Sequence, residues 1–228
     1  MSESGNARPL GPLVDTKPAH PPGDVKLEGR FGFLEKLDPL RHGHDLWMAV
    51  KGADAIWDYM GYGPFADPKS FGEWLEERAP LQDPFPFTIV NAEGRAVGIA
   101  TYLEIRLANR VIEVGHILYP PALQRTPLAT EAQYLLARYA FEMLDYRRYE
   151  WKCNALNAAS RRAALRFGFT FEGIFRQHMI VKGRSRDTAW FSMLDSEWPS
   201  RKAAFERWLA PENFDSDGRQ KTRLNANA

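Results

Sequence analysis

The sequence predicts one α/β (α+β) domain, a mixed and mostly antiparallel sheet of about seven strands with helices on both faces. Three observations carry that expectation. About seven runs rich in β-branched and aromatic residues are bounded by turn residues. Most of these runs lie close enough in sequence to pair as hairpins. Helical repeats also cross between the later runs, and parallel neighbours need such crossovers.

The elements follow in order. Residues 26–35 (K-L-E-G-R-F-G-F-L-E) read as a first strand. Helical patterns follow at 41–51 and 68–79, the second opened by Asp67 as N-cap and Pro68 at the first helical position. Residues 87–90, the turn N-A-E-G-R and 96–106 form a hairpin, and L-A-N-R links it to a strand at 111–119. The strongest helix starts at Thr126, with Leu128, Ala132, Leu135, Leu136, Tyr139, Ala140, Met143 and Leu144 at helical spacing. Residues 148–153 alternate cleanly, with Tyr149, Trp151 and Cys153 on one face and Arg148, Glu150 and Lys152 on the other. A short helix at 157–167 closes on Gly168. Strands at 169–181 and 188–194 flank the turn K-G-R-S-R-D, and 198–209 is an amphipathic terminal helix.

Composition narrows the function. The chain has 228 residues and 44% apolar side chains, enough to bury a core. Pro- and Gly-rich residues 1–22 and polar residues 211–228 read as flexible tails around a domain at 23–210. The 30 Lys and Arg against 29 Asp and Glu leave a net charge of +1. That balance argues against nucleic-acid and membrane-surface binding, which rely on a large field. One cysteine, Cys153, excludes an intramolecular disulfide framework and a multi-cysteine zinc site. No metal is expected. The amino terminus lacks an apolar signal region and no apolar run reaches membrane-spanning length, so a cytoplasmic location is expected. Charge is nevertheless uneven. Residues 145–187 hold ten basic and four acidic side chains, +6, leaving −5 on the rest. Such a segment is either a solvated face or a site for a multiply charged anion.

Two stretches carry chemistry. At 111–131 a strand passes through a short loop into the strongest helix, whose first-turn amides and macrodipole suit an anion. At 151–169, Asn157 opens a short helix, Ser160 follows three residues later, and Gly168-Phe169 ends it. Asn157 is an N-cap whatever else it does.

These stretches resemble the GNAT N-acetyltransferase superfamily, in the branch of the Rim-type ribosomal-protein acetyltransferases. The resemblance rests on R-T-P-L-A-T-E-A at 125–132, N-A-A-S at 157–160 and G-F at 168–169, and covers about 25–198. It implies acetyl-CoA as co-substrate. Its pyrophosphate is expected on the loop and helix start formed by Gln124, Arg125, Thr126, Pro127, Leu128, Ala129 and Thr130. Its pantetheine is expected along 115–119, against Ile117, Leu118 and Tyr119, with a backbone amide near Ile117–Leu118 polarising the carbonyl. Asn157 matches the asparagine that bonds the pantetheine, and Ser160 the hydroxyl that protonates the leaving thiolate. Arg162, with Arg161, Arg166 and Arg125, is a candidate for the CoA phosphates. One departure stands out: Pro127 replaces the central glycine of the phosphate loop. Proline removes an amide donor. Arg125 or the hydroxyls of Thr126 and Thr130 are expected to compensate.

Acetyl transfer to an amine needs a base. Glu113, on the strand beside the donor, is the first choice. His116 is its rival, since an unperturbed imidazole titrates near 6.5. Strand alternation puts the two on opposite faces unless a bulge intervenes. A structural carboxylate is the plainer reading of Glu113. Cys153, with no paired base, reads as a buried thiol rather than a nucleophile. The aromatic stretch 57–65 supplies the expected acceptor wall, Trp57, Tyr59, Tyr62 and Phe65, for which a core plug is the competing reading. Tyr102, Arg176 and His178 are lesser candidates. The acceptor is expected to be a small-molecule amine or a peptide N-terminus, attacking directly in a ternary complex. A homodimer is an assembly the resemblance allows. The alternative is a non-catalytic acyl-CoA-binding or protein-interaction module on the same fold.

Overall fold

A computed structural model describes residues 10–224 and 226. The sheet has eight strands in spatial order β1 to β6, then β8, then β7: β1 (Leu27–Glu28), β2 (Gly32–Lys36), β3 (Phe85–Asn91), β4 (Ala96–Arg106), β5 (Val111–Leu118), β6 (Arg148–Asn154), β7 (Thr170–Val181) and β8 (Arg184–Leu194). Only β5 and β6 pair in parallel. The crossover between them is α3 (Pro127–Arg138), extended by one π-helical turn at Tyr139–Met143.

The single first strand expected at 26–35 is in fact the hairpin β1–β2. Gly32 allows this turn because its α-carbon lies against the Val90 carbonyl, where an added Cβ would come within 2.2 Å. The turn expected at 182–187 is shorter, since β8 already pairs with β7 from Arg184.

Two apolar layers cover the sheet. On one face α3 and α5 (Trp198–Leu209) bury Ile112, Val114, Tyr149, Trp151, Cys153 and Phe191. On the other, α1 (Pro39–Val50) and α2 (Pro68–Arg78) enclose Leu46, Trp57, Phe71, Trp74 and Ile99. The helix starts follow local chemistry. The Asp38 carboxylate accepts from the Leu40 amide, and Asp67 from the Ser70 amide. The short α4 (Ala158–Arg166) is capped by Asn157, which accepts from the Ser160 amide at 3.0 Å, and ends before Gly168 at φ +91°.

The chain ends correct the expectation of two flexible tails. Residues 1–9 lie outside the described part. Ala19 is buried, its amide donates to the Leu107 carbonyl, and the Gly23 amide donates to Tyr139 Oη. At the other end Leu224 and Ala226 join the core, and the Trp208 indole donates to Gln220. The packed body therefore reaches beyond 23–210 in both directions. Among the described residues no helix is long and apolar enough to cross a membrane.

Candidate active site

β5 and β6 part company in the middle of the sheet. Their parallel register ends at Val114 and Trp151. Beyond that point β5 continues beside β4 to Leu118, and β6 beside β8 to Asn154. The edge of 115–118 that faces β6 thus has no strand partner. Main-chain groups left without partners are strong hydrogen-bonding sites.

The same segment carries a bulge in its pairing with β4. Thr101 pairs with Gly115, but Ile99 pairs with Leu118, so β5 carries one extra residue. His116 absorbs it at φ +47°. The consequence is decisive for the two candidate bases. Val114 and Ile112 face the α3 layer, so Glu113 faces the α1–α2 side. Plain alternation would turn His116 away from it. The bulge instead sets the His116 ring 5.6 Å from that of Tyr62, beside Trp74, Arg78 and Thr101 on the Glu113 side.

Their protonation differs sharply. Glu113 is only 3% exposed, and burial raises its pKa to about 7 against the opposing pull of Lys152. Lys152 Nζ stands 2.6 Å from Glu113 Oε2, the ion pair that opposes the burial of the carboxyl. Lys152 also stacks over the Trp190 ring at 4.4 Å. His116 moves the other way, to about 4, through burial and the charges of Arg78 and Arg186. It is a neutral imidazole at neutral pH. Lys152, Arg78 and Arg186 were not singled out in the sequence. The alternation of 148–153 already placed Lys152 beside Glu150, but the register that brings it to Glu113 is set across strands.

The opposite face holds a second group. Ser160 Oγ accepts from the Trp151 indole at 3.0 Å. Cys153 is buried and its pKa is raised by that burial, as the reading of a structural thiol expects. Thr126 caps α3, accepting from the Ala129 amide and donating to the Leu123 carbonyl. Pro127 occupies the first helical position.

Several expected phosphate contacts are otherwise engaged. The Thr126 hydroxyl is used up by the cap. The Thr130 hydroxyl accepts from Arg166. Gln124 donates to the Tyr119 carbonyl, and the Tyr119 hydroxyl donates to the Ala129 carbonyl. Leu128 and Ala129 bury their side chains in the core. What remains open is the amides of Arg125 and Leu128, which find no acceptor among the described residues, and two exposed guanidiniums. Arg125, at φ +63°, and Arg162 form no ion pair or hydrogen bond through their side chains there. Arg161 instead donates to the Ala155 carbonyl.

The acceptor wall is corrected. Trp57 is 2% exposed and belongs to the α1–α2 core, so it does not line an opening, while the half-buried Phe65 packs on it at 5.3 Å. A large indole in this aromatic cluster is worth more buried than presented. Tyr102 is fully buried, donating to the Leu136 carbonyl. Tyr62 does face His116, and Arg78 stacks on it at 4.6 Å. Tyr59 sits at the rim, donating to the Leu156 carbonyl, while Lys182 donates to the Trp57 carbonyl. These two bonds tie the 57–62 loop to the β6–α4 connection and to the β7–β8 turn. Arg176 and His178 are exposed on β7, with His178 Nδ1 3.0 Å from Thr188 Oγ1.

The arrangement has two sides and one opening. Free amides, free arginines and Ser160 lie on the α3–α4 side. Glu113, His116 and Lys152 lie on the α1–α2 side. The gap between β5 and β6 joins them.

Known proteins share this plan. Residues 36–170 match the family model described as Acetyltransferase (GNAT) domain. A GCN5-related N-acetyltransferase structure from Brucella melitensis is 49% identical, covers 91% of this chain and 96% of its own, and superposes with a TM-score of 0.89. A structure from Chromobacterium violaceum, titled as a candidate GNAT-family acetyltransferase, is 43% identical over 84% of this chain and 97% of its own, with a TM-score of 0.79. A Bacillus subtilis (strain 168) protein, YdaF, named as a candidate ribosomal N-acetyltransferase, is 29% identical over 110 residues. That match spans 48% of this chain and 60% of the relative.

Proposed function

This chain belongs to the GNAT acetyltransferase family, and on that premise we propose that it moves an acetyl group from acetyl-CoA to a primary amine by direct attack in a ternary complex. The opening between β5 and β6 carries this reading, because it joins an anion-binding side to a side with a base titrating near neutrality.

The residues fit the donor. Amides of Arg125 and Leu128, with the Arg125 and Arg162 side chains, would hold its phosphates. The unpaired edge of 115–118 and the Asn157 amide would hold its pantetheine. Acetyl-CoA supplies the activated carbonyl. The Ile117–Leu118 main chain is the proposed donor that polarises it.

Glu113 is the proposed base. A carboxylate at about 7 is half ionised at neutral pH and matched to taking a proton from an ammonium group. His116, at about 4, is a poor base at that pH and serves as a neutral wall of the site. Ser160 is the proposed proton donor to the leaving thiolate. Its oxygen accepts from the Trp151 indole, which leaves the hydroxyl hydrogen available to donate. A peptide N-terminus is the favoured acceptor class. The name of the Bacillus subtilis relative supports that choice.

Incubation with acetyl-CoA and a panel of amines, amino acids and peptides, followed by free-thiol release and product mass, tests the proposal. Acceptor-dependent thiol release is expected. Donor binding without release across the panel would favour the non-catalytic acyl-CoA-binding module instead.

A further inference from the structure

Arg186 stands apart from every other partly buried arginine near the opening. It lies on β8, two alternations from Trp190 and therefore on the face that carries Lys152 and Glu113. Its guanidinium makes no hydrogen bond or ion pair among the described residues, and its Nε is fully buried without an acceptor. Two carboxylates in its neighbourhood have other partners: Asp187 accepts from the Gln177 amide, and Glu113 pairs with Lys152. The Trp190 indole N–H is also buried without an acceptor.

A desolvated guanidinium with no hydrogen-bonded anion is costly to keep. Its charge acts on Cys153, Glu113 and His116, which groups it with the residues around the gap between β5 and β6. Arg78, also beside His116, donates to the Trp74 carbonyl and stacks on Tyr62 and Trp74. Of the two, only Arg186 has neither a hydrogen-bonded nor a stacked partner among the described residues.

We propose that Arg186 recognises a carboxylate on the acceptor, so that favoured substrates are amines carrying an acidic group close to the nitrogen that is acetylated. A guanidinium binds a carboxylate through two parallel N–H donors. The amine then falls to Glu113 while the acid is held away from it, which avoids placing two carboxylates together. This specificity rests on the acetyl-transfer reading above. The carboxylate has two possible sources, the acid of a free amino acid or an acidic side chain near a peptide N-terminus.

Two matched pairs of acceptors separate them. One pair is alanine and alaninamide. The other is two C-terminally amidated tetrapeptides that differ only by Glu or Gln at the second position. With the wild-type protein, the acidic member of at least one pair is expected to win by about tenfold or more in kcat/KM, the size of one charge-assisted hydrogen bond. Arg186→Gln should bring that ratio down by a similar factor, and Arg186→Lys should restore part of it. Comparing ratios between proteins removes the intrinsic difference in amine basicity within each pair. Calorimetric binding of the same ligands to the CoA-loaded Glu113→Gln protein should keep the acidic preference although transfer is lost. If no wild-type transfer occurs but this binding preference holds, the acetyl-transfer reading fails and the carboxylate site stands. The carboxylate site is overturned if neither pair shows a preference, if the preference survives in Arg186→Gln, or if Arg186→Gln weakens CoA binding instead.

Discussion

Lys152 Nζ lies 2.6 Å from Glu113 Oε2, just where β5 and β6 separate. Burial pushes the carboxyl toward its neutral form, and the ammonium pulls it back. The balance leaves Glu113 at about 7, within reach of a physiological change in pH.

Removing the ammonium tests that balance. Lys152→Met should move the acid limb of the kcat/KM profile upward from near pH 7 by about one unit or more, while Lys152→Arg should hold it close to its wild-type place. A limb that does not move would mean that Lys152 is only a packing residue over Trp190.

Asn157 has two tasks that a pair of substitutions can divide. Asn157→Ala should cost about 1 kcal/mol in stability, the worth of an N-cap, together with weaker CoA binding. Asn157→Asp keeps the oxygen that caps Ser160 but loses the amide donor, so it should retain stability and still bind CoA more weakly. Thermal unfolding and CoA titration read the two effects. Equal CoA affinity in Asn157→Asp and wild type would confine Asn157 to capping.

Ser160→Ala should slow turnover at saturating substrate. It also strips the Trp151 indole of its acceptor, so stability should fall by roughly 1–3 kcal/mol. Stability loss with an unchanged rate would take the leaving-group role away from Ser160.

How much of this was legible in the sequence depends on the range of the forces involved. Asp67, Thr126 with Pro127, Asn157 and Gly168 mark helix ends through contacts within a few residues, and all four act as the sequence implies. Glu113 was readable as a carboxylate on the right strand. Its partner Lys152 was not, because parallel register is decided by packing across the whole sheet. The bulge at His116 left only the bare signal of a Gly-His pair inside a strand. The 57–65 stretch shows the same limit. Aromatic density reveals a cluster, but whether Trp57 fills a core or faces a pocket depends on how α1 and α2 close over it. Composition misread the ends as well, since Leu224 and Ala226 pack into the core despite their polar neighbours.

His116 gives a prediction about stability. Its folded pKa is lowered to about 4 from 6.5, so the unfolded chain takes up the proton first. The neutral ring therefore contributes stability above about pH 6.5, and that contribution drains away as pH falls toward 4. His116→Asn, which tolerates the left-handed backbone, should lose roughly 1–3 kcal/mol less than wild type across that window. Glu113 titrates the opposite way between 4.5 and about 7, but it is common to both proteins and cancels in the difference. Parallel denaturant-unfolding curves from pH 4 to 7 would contradict the assignment.

The central claim is that Glu113 takes the proton from the attacking amine, and the pH dependence of kcat/KM for wild type and Glu113→Gln tests it most directly. The wild-type profile should rise with pH through an apparent pKa of about 7. Glu113→Gln should be slower by about a hundredfold or more and should lose that limb, while binding CoA normally. A Glu113→Gln protein that keeps its rate, or keeps the same limb near pH 7, would place the base elsewhere.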